Sequence, residues 1–212
     1  MSWDKYTVLP NGVIQQVVVD PTQVSYDFNY SNKYNSYGEK GKYLSYLRYG
    51  VMVGVLQHTP RRIVDVGYGN GDFLSACVNT IPHVFGCDLS DYPVPDGCKK
   101  IAFNDISNVD VTCFFDSLEH FTDITVVKDL DTKYVFISVP WCHNLSTEWF
   151  MNWYHRRENE HLYHFNDTSL KQFFDECGYD CLYIGCFEDS IRKNSTLQGL
   201  PNILSAMFKK RT

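Results

Sequence analysis

The feature that most constrains how this chain can fold is a series of seven strand-length apolar runs beginning just after Arg62. They read IVDVG at 63, HVFGCDL at 83, KIAFN at 100, VTCFFD at 111, YVFISVP at 134, CLYIGCF at 181 and NILSAMF at 202. Most are continuously apolar rather than alternating, as in strands covered on both faces. Helical stretches are expected between several of them, notably at 71–79 and 117–130. A later helix is expected at 167–177, with Asn166 or Asp167 as its cap and Gly178 as its stop. Strands alternating with helices predict a parallel α/β sheet. The last two runs leave no room for a helix between them, so they should form an antiparallel hairpin. No repeat, low-complexity segment or linker breaks the pattern, and 212 residues suit one domain.

Ahead of this core, YTVLPNGVIQQVVV at 6–19 reads as two short strands around a Pro-Asn-Gly turn. Residues 38–57 read as a helix, with Tyr43, Leu44, Leu47, Val51 and Val55 recurring at three and four. Between them, the Tyr- and Asn-rich YDFNYSNKYNSYG keeps no single period and reads as loop or irregular helix. The chain thus divides into an N-terminal extension (1–37), a leading helix (38–57) and a core (60–210).

The first core run ends in a glycine loop, VDVGYGNGDFL at 64–74, with Gly67, Gly69 and Gly71 at alternate positions. In an open parallel sheet, ligands bind at the carboxyl ends of strands. A tight turn into a helix also aims backbone N–H groups at such a ligand. A dinucleotide site would follow G-x-G-x-x-G, but here Asp72 stands where the third glycine belongs. Asp65 would repel a pyrophosphate and would suit a ligand carrying an ammonium or sulfonium. A plain glycine-rich turn is the competing reading. The second run ends in GCDLS, which puts Asp88 seventeen residues past Gly71, near the spacing of a ribose-binding carboxylate. The third ends in FNDIS, where Asn104 and Asp105 could reach an adenine amino group, although Asn-Asp is also ordinary turn chemistry.

These segments resemble the class I S-adenosylmethionine-dependent methyltransferases. DVGYGNG at 65–71 resembles their D-x-G-x-G-x-G loop, GCDLS at 86–90 their second motif and FNDIS at 103–107 their third. VTCFFDSLEHF at 111–121 resembles the strand and Leu-Glu-His turn of one subgroup. That subgroup also has a strand ending in S-V-P and an E-H-L-Y-H-F-like segment, present here at 137–140 and 160–165. The resemblance spans roughly residues 60–210, with two departures. Tyr68 replaces a usually small residue, and the proline-bearing interval from Asp88 to Asn104 is short, so the second helix should be reduced or absent.

The resemblance implies a Rossmann-like seven-stranded sheet in the order 3-2-1-4-5-7-6, with strand 7 antiparallel and helices on both faces. It implies S-adenosyl-L-methionine laid over Asp65, Gly67, Tyr68, Gly69 and Gly71, with Asp88 and Leu89 at the ribose. Adenine would lie near Asn104 and Asp105, and the methyl group would face Asp116 and Ser117. S-adenosyl-L-homocysteine would be the product.

Methyl transfer asks the protein to align the nucleophile, exclude water and accept a proton. The candidate proton acceptors are His143 in the loop PWCHN, Asp116 and His120. Against this, His143 could be a solvent-facing loop residue, and His120 could merely orient the Leu-Glu-His turn. Further on, His155, His161 and His164 raise the question of a metal. No cysteine pair or acidic third ligand completes a familiar spacing. The E-H-L-Y-H-F pattern occurs in the subgroup without metal, so no metal is expected and these residues read as structural or substrate-facing. Trp149, Trp153 and Tyr154 could form a lid over the acceptor or bury an amphipathic helix.

A net charge of −6 and the lack of a basic stripe speak against a nucleic-acid partner. No stretch approaches the roughly 18 apolar residues of a membrane span, and the N-terminus lacks the form of a signal peptide. The eight cysteines form no C-x-x-C pair and several sit in apolar runs, which predicts buried free thiols in the cytoplasm. The expected function is methyl transfer to a small-molecule acceptor bearing a hydroxyl, amine or sugar-like group. The alternative is a catalytically silent binding or assembly protein of the same fold.

Overall fold

The computed structural model describes residues 3–20, 38–192 and 199–212. The Tyr- and Asn-rich stretch at 26–37 lies outside them. The chain opens with β1 (Tyr6–Val8), β2 (Ile14–Gln16) and helix α1 (Glu39–Leu56). The core follows as β3 (Arg62–Val66), α2 (Asp72–Cys77), β4 (His83–Cys87), β5 (Lys99–Lys100), β6 (Val109–Phe115) and β7 (Thr132–Pro140). Then come α3 (Thr147–Asn152), β8 (Tyr163–His164), α4 (Asp167–Glu176), β9 (Tyr179–Gly185), α5 (Asp189–Arg192) and β10 (Ile203–Lys210).

The main sheet has seven strands in the order β5-β4-β3-β6-β7-β10-β9. Numbered within the core this is 3-2-1-4-5-7-6, as expected. β10 runs antiparallel to both β7 and β9, and the remaining pairs are parallel. Asp65 lies in β3, between β4 and β6, opposite Gly86 on one side and Cys113 on the other. Helices cover both faces. On one, Met52 and Leu56 of α1 and Phe73 and Leu74 of α2 pack on Ile63, Val111 and Phe136. On the other, Leu170, Phe173 and Phe174 of α4 pack on Phe114, Val135 and Phe208. Phe174 stacks on Phe208 with ring centroids 4.0 Å apart.

Asn166 caps α4 in a reciprocal capping box with Ser169, and Gly178 follows with φ 87°. All eight cysteines are free, and five of them are buried. As expected from the short interval after Asp88, no helix forms there, and β5 keeps only two residues.

Two local expectations need correcting. Residues 117–130 form two 3-10 turns, Leu118–His120 and Ile124–Lys128, rather than one helix. Thr122 and the β-branched run from Ile124 to Val127 disfavour a continuous helix. The Asp123 carboxylate also accepts from the backbone N–H of Thr125 and starts a new turn. The link between β9 and β10 is not a bare hairpin, since one helical turn, α5, fits within it. The expected N-terminal hairpin forms and gains a third strand. β2 pairs antiparallel with β8, so β1, β2 and β8 form a second, three-stranded sheet. Beneath it, Tyr6 and Ile14 bury against Cys142 and Phe150.

Candidate functional site

At the carboxyl ends of β3, β6 and β7 the sheet opens into a cavity of about 920 Å3. Its floor includes Asp65, Gly67, Gly69, Asp116 and Pro140. α1 walls one side through Lys40, Leu44 and Arg48, while Tyr154, His155, Arg157 and His161 wall the other.

The glycine loop lines the floor because it is folded flat. Gly67, Gly69 and Gly71 all have positive φ, at 78°, 55° and 78°. Tyr68 does not block the loop. Its ring lies against Gly86, as does Leu74, and its hydroxyl donates to the carbonyl of Tyr92. Gly86 of β4 is what admits it, since a Cβ there would lie 2.7 Å from the tyrosine ring. The pairing of Tyr68 with Gly86 thus accounts for the unusual residue after the first glycine.

Asp65 is buried beneath the loop at 3% exposure, and its Oδ1 has no hydrogen-bond partner among the described residues. Burial lifts its carboxyl to about 7, Arg48 opposes this, and Asp88 adds to it. Asp88 accepts from the backbone N–H of Gly69 at 3.1 Å and of Ser90 at 2.8 Å. It thereby ties the loop to the end of β4 while lone pairs remain on both oxygens. Leu89 beside it is 87% exposed. Asn104 and Asp105 lie exposed on the 3-10 turn Phe103–Asp105 that follows β5. The buried Ser117 Oγ lacks a hydrogen-bond partner among the described residues, and its Cβ sits directly under Gly67.

Asp116 is held differently from what a proton acceptor requires. Arg192 grips both of its oxygens, and Arg48 Nη2 lies 3.7 Å away. Burial alone would raise its carboxyl, but the two guanidinium groups outweigh it and keep Asp116 below the usual range. Both arginines are anchored in turn by Glu188, which is fully buried and accepts from Arg48 Nε at 2.7 Å and Arg192 Nε at 2.8 Å. Ser138 Oγ also donates to Glu188, at 2.6 Å. Sequence reading missed this network. Arg48 occupies a buried stripe of α1 with Ser45, Met52 and Leu56, and a charge at such a position requires a buried partner.

His143, the first expected proton acceptor, does not line the cavity. It stacks on Trp141 with centroids 5.2 Å apart, and its Nε2 meets the carbonyl of Pro201 at 2.7 Å. That contact makes Nε2 the protonated nitrogen. His155 lines the cavity instead, with Nε2 on Asn202 Oδ1 at 3.0 Å. Burial keeps His155 below the usual histidine range, hence neutral at neutral pH. His120 lines the cavity too.

His161 and His164 do not share a helical face, because the segment is extended rather than helical. His164 is buried between Phe150 and Trp153 and is pushed down to about 3 by burial. The aromatic stretch divides as well. Trp149 and Trp153 stack on each other within the small aromatic core, whereas Tyr154 is 71% exposed at the cavity rim.

Residues 43–184 match the family model described as a methyltransferase domain. The chain belongs to this methyltransferase family. Its fold is also that of solved structures with low sequence identity. Magnesium protoporphyrin IX methyltransferase from Synechocystis, solved with bound S-adenosylhomocysteine, is 13% identical with a TM-score of 0.60. The match covers 88% of this chain and 96% of that one. The plantazolicin methyltransferase BpumL, also in complex with S-adenosylhomocysteine, is 13% identical with a TM-score of 0.60, covering 86% of this chain and 90% of that one. No curated protein matches the chain by sequence. No described helix is long and apolar enough to cross a membrane.

Proposed function

We propose that the chain transfers the methyl group of S-adenosylmethionine to a small-molecule acceptor held in the cavity above Asp116 and Pro140. The observation that carries this reading is Asp65, a carboxylate buried under a flat glycine loop with one oxygen unsatisfied. Such a group is costly to bury and is compensated by a cation. The ammonium of the cofactor's amino acid portion has that charge. Asp88 and Leu89 suit the ribose, Asn104 and Asp105 suit the adenine, and Ser117 borders the methyl-bearing end. The bound cofactor supplies the electrophilic methyl group, and the chain binds, aligns and excludes water. His155, neutral and facing the cavity, is the residue best placed to take the acceptor's proton.

Calorimetry at two pH values tests the cofactor reading. The ionised form of Asp65 is the one that pairs with an ammonium. It prevails above about 7 and is lost as pH falls through that value. The groups acting on Asp65 are Arg48 from α1 and Asp88 beyond the loop. S-adenosylhomocysteine should therefore bind roughly tenfold more tightly at pH 8 than at pH 6. Asp65→Asn should bind weakly at both pH values, and NAD should give no heat. NAD binding without any response to S-adenosylhomocysteine would sink the proposal.

A second expectation concerns the proton. His155→Ala should lower turnover on a hydroxyl acceptor by roughly 10²–10⁴-fold with cofactor affinity unchanged. His143→Ala, outside the cavity, should leave turnover within a few-fold. The reverse pattern in single-turnover assays would restore His143 as the proton acceptor.

A further inference from the structure

Glu119, His120 and His161 meet at the wall of the cavity, with one ligand-type atom from each within 4.8 Å of the others. Sequence spacing hides this group because the carboxylate comes from the Leu-Glu-His turn and the second histidine from the segment before β8. Glu119 is 1% exposed, and among the described residues neither carboxylate oxygen has a hydrogen-bond partner beyond the residue's own N–H. A carboxyl group left so inside a protein either keeps its proton or is balanced by a cation. The two histidines are already oriented as metal ligands are. His161 Nδ1 lies 2.7 Å from the carbonyl of His155, and a ring nitrogen of His120 bonds the backbone of Glu160. Metal-bound histidines commonly hold their second nitrogen on a carbonyl in this way, which fixes the tautomer and aims the other nitrogen at the ion.

We propose that Glu119, His120 and His161 bind one divalent first-row metal ion, such as Mn2+ or Co2+, at the cavity wall. Two imidazoles and one carboxylate form a facial set that leaves the remaining coordination positions open. His120 and His161 line the cavity, so those positions face it. Facial ligand atoms about 2.1 Å from an ion stand roughly 3 Å apart, so binding draws the three side chains together by up to about 2 Å.

The ion deepens the function proposed above and narrows its acceptor class, and this second part rests on that reading. The acceptor is one that presents oxygen to the metal, a hydroxyl rather than an amine. Coordination makes the hydroxyl more acidic. Its proton passes to His155, whose carbonyl already holds His161. The oxygen then forms a bond to the methyl carbon as the carbon–sulfur bond breaks, and sulfur keeps the electron pair.

The test uses chelator-stripped full-length protein titrated with Co2+ and Mn2+. The expected result is one ion per chain. Cobalt should show ligand-field bands without thiolate charge transfer, which separates this site from the cysteines. Glu119→Gln and His161→Ala should each weaken binding at least tenfold. Circular dichroism and S-adenosylhomocysteine affinity serve as folding controls and should stay unchanged. An anomalous-scattering map of metal-soaked crystals gives a second reading on the unaltered chain. No binding at millimolar metal, thiolate bands, or affinity unchanged in both variants would each overturn the site. Loss of S-adenosylhomocysteine binding by the unaltered protein would instead count against the methyltransferase reading and leave the metal result standing.

Discussion

Gly67→Val is expected to abolish S-adenosylhomocysteine binding and to lower the melting temperature. Two independent costs arise at this position. The backbone has φ 78°, where a residue with a Cβ is strained by roughly 1–2 kcal/mol and a β-branched one more. The new Cβ would also lie 2.6 Å from the Cβ of Ser117. Ser117 cannot yield cheaply, because it follows the end of β6, and neighbouring Asp116 is bonded through its own N–H to the carbonyl of Ser138. Either the loop lifts into the cofactor's path or the end of β6 shifts. Gly67→Ala should show a milder form of both effects. Calorimetry with S-adenosylhomocysteine and a melting curve measure them. Wild-type affinity in the valine variant would mean that the loop is not the cofactor's floor.

The largest stability effect should come from Glu188→Ala. Glu188 balances two guanidinium groups from different elements, Arg48 of α1 and Arg192 of α5. Removing one partner of a buried ion pair costs about 3–5 kcal/mol where the charge left behind is poorly solvated, and Arg48 and Arg192 keep only 10% and 23% of their side chains exposed. For a chain of this size, that corresponds to a drop of roughly 6–20 °C. Asp116 still neutralises part of the charge, so the network should loosen rather than disperse. Glu188→Gln, which keeps the shape and some hydrogen bonds, should cost less. A fall of under about 2 °C in the alanine variant would show that the arginines find other partners.

Much of this architecture was legible in the sequence because parallel strands advertise themselves. Runs such as VTCFF and YVFISVP are apolar throughout, since both faces are covered. The glycine loop was equally legible, because its residue types answer to backbone angle rather than to distant contacts. Spacing from that loop also singled out Asp88, whose carboxylate accepts from the N–H of Gly69. What escaped lay in pairings between remote segments. Nothing local joins Glu119 to His161, or Arg48 to Glu188. His143 misled for a related reason. Its place after β7 pointed to the cavity, but the carbonyl of Pro201, supplied by the chain just before β10, holds the ring elsewhere. The 3-10 turns after β6 illustrate the opposite failure, in which a helical pattern lost to β-branched residues and an aspartate with a nearby N–H to accept.

The pairing of β2 with β8 has a consequence for how the chain is made. Gln15 finds its partner in Tyr163, 148 residues later. Synthesis at about 5–20 residues per second separates the two by roughly 7–30 s. Through that interval the outer edge of β2 has no strand to pair with, and Tyr6 and Ile14 lack Phe150 to pack on. β2 therefore emerges well before the strand that completes its sheet. A nascent chain of this protein carries an open strand edge at β2 until β8 has emerged.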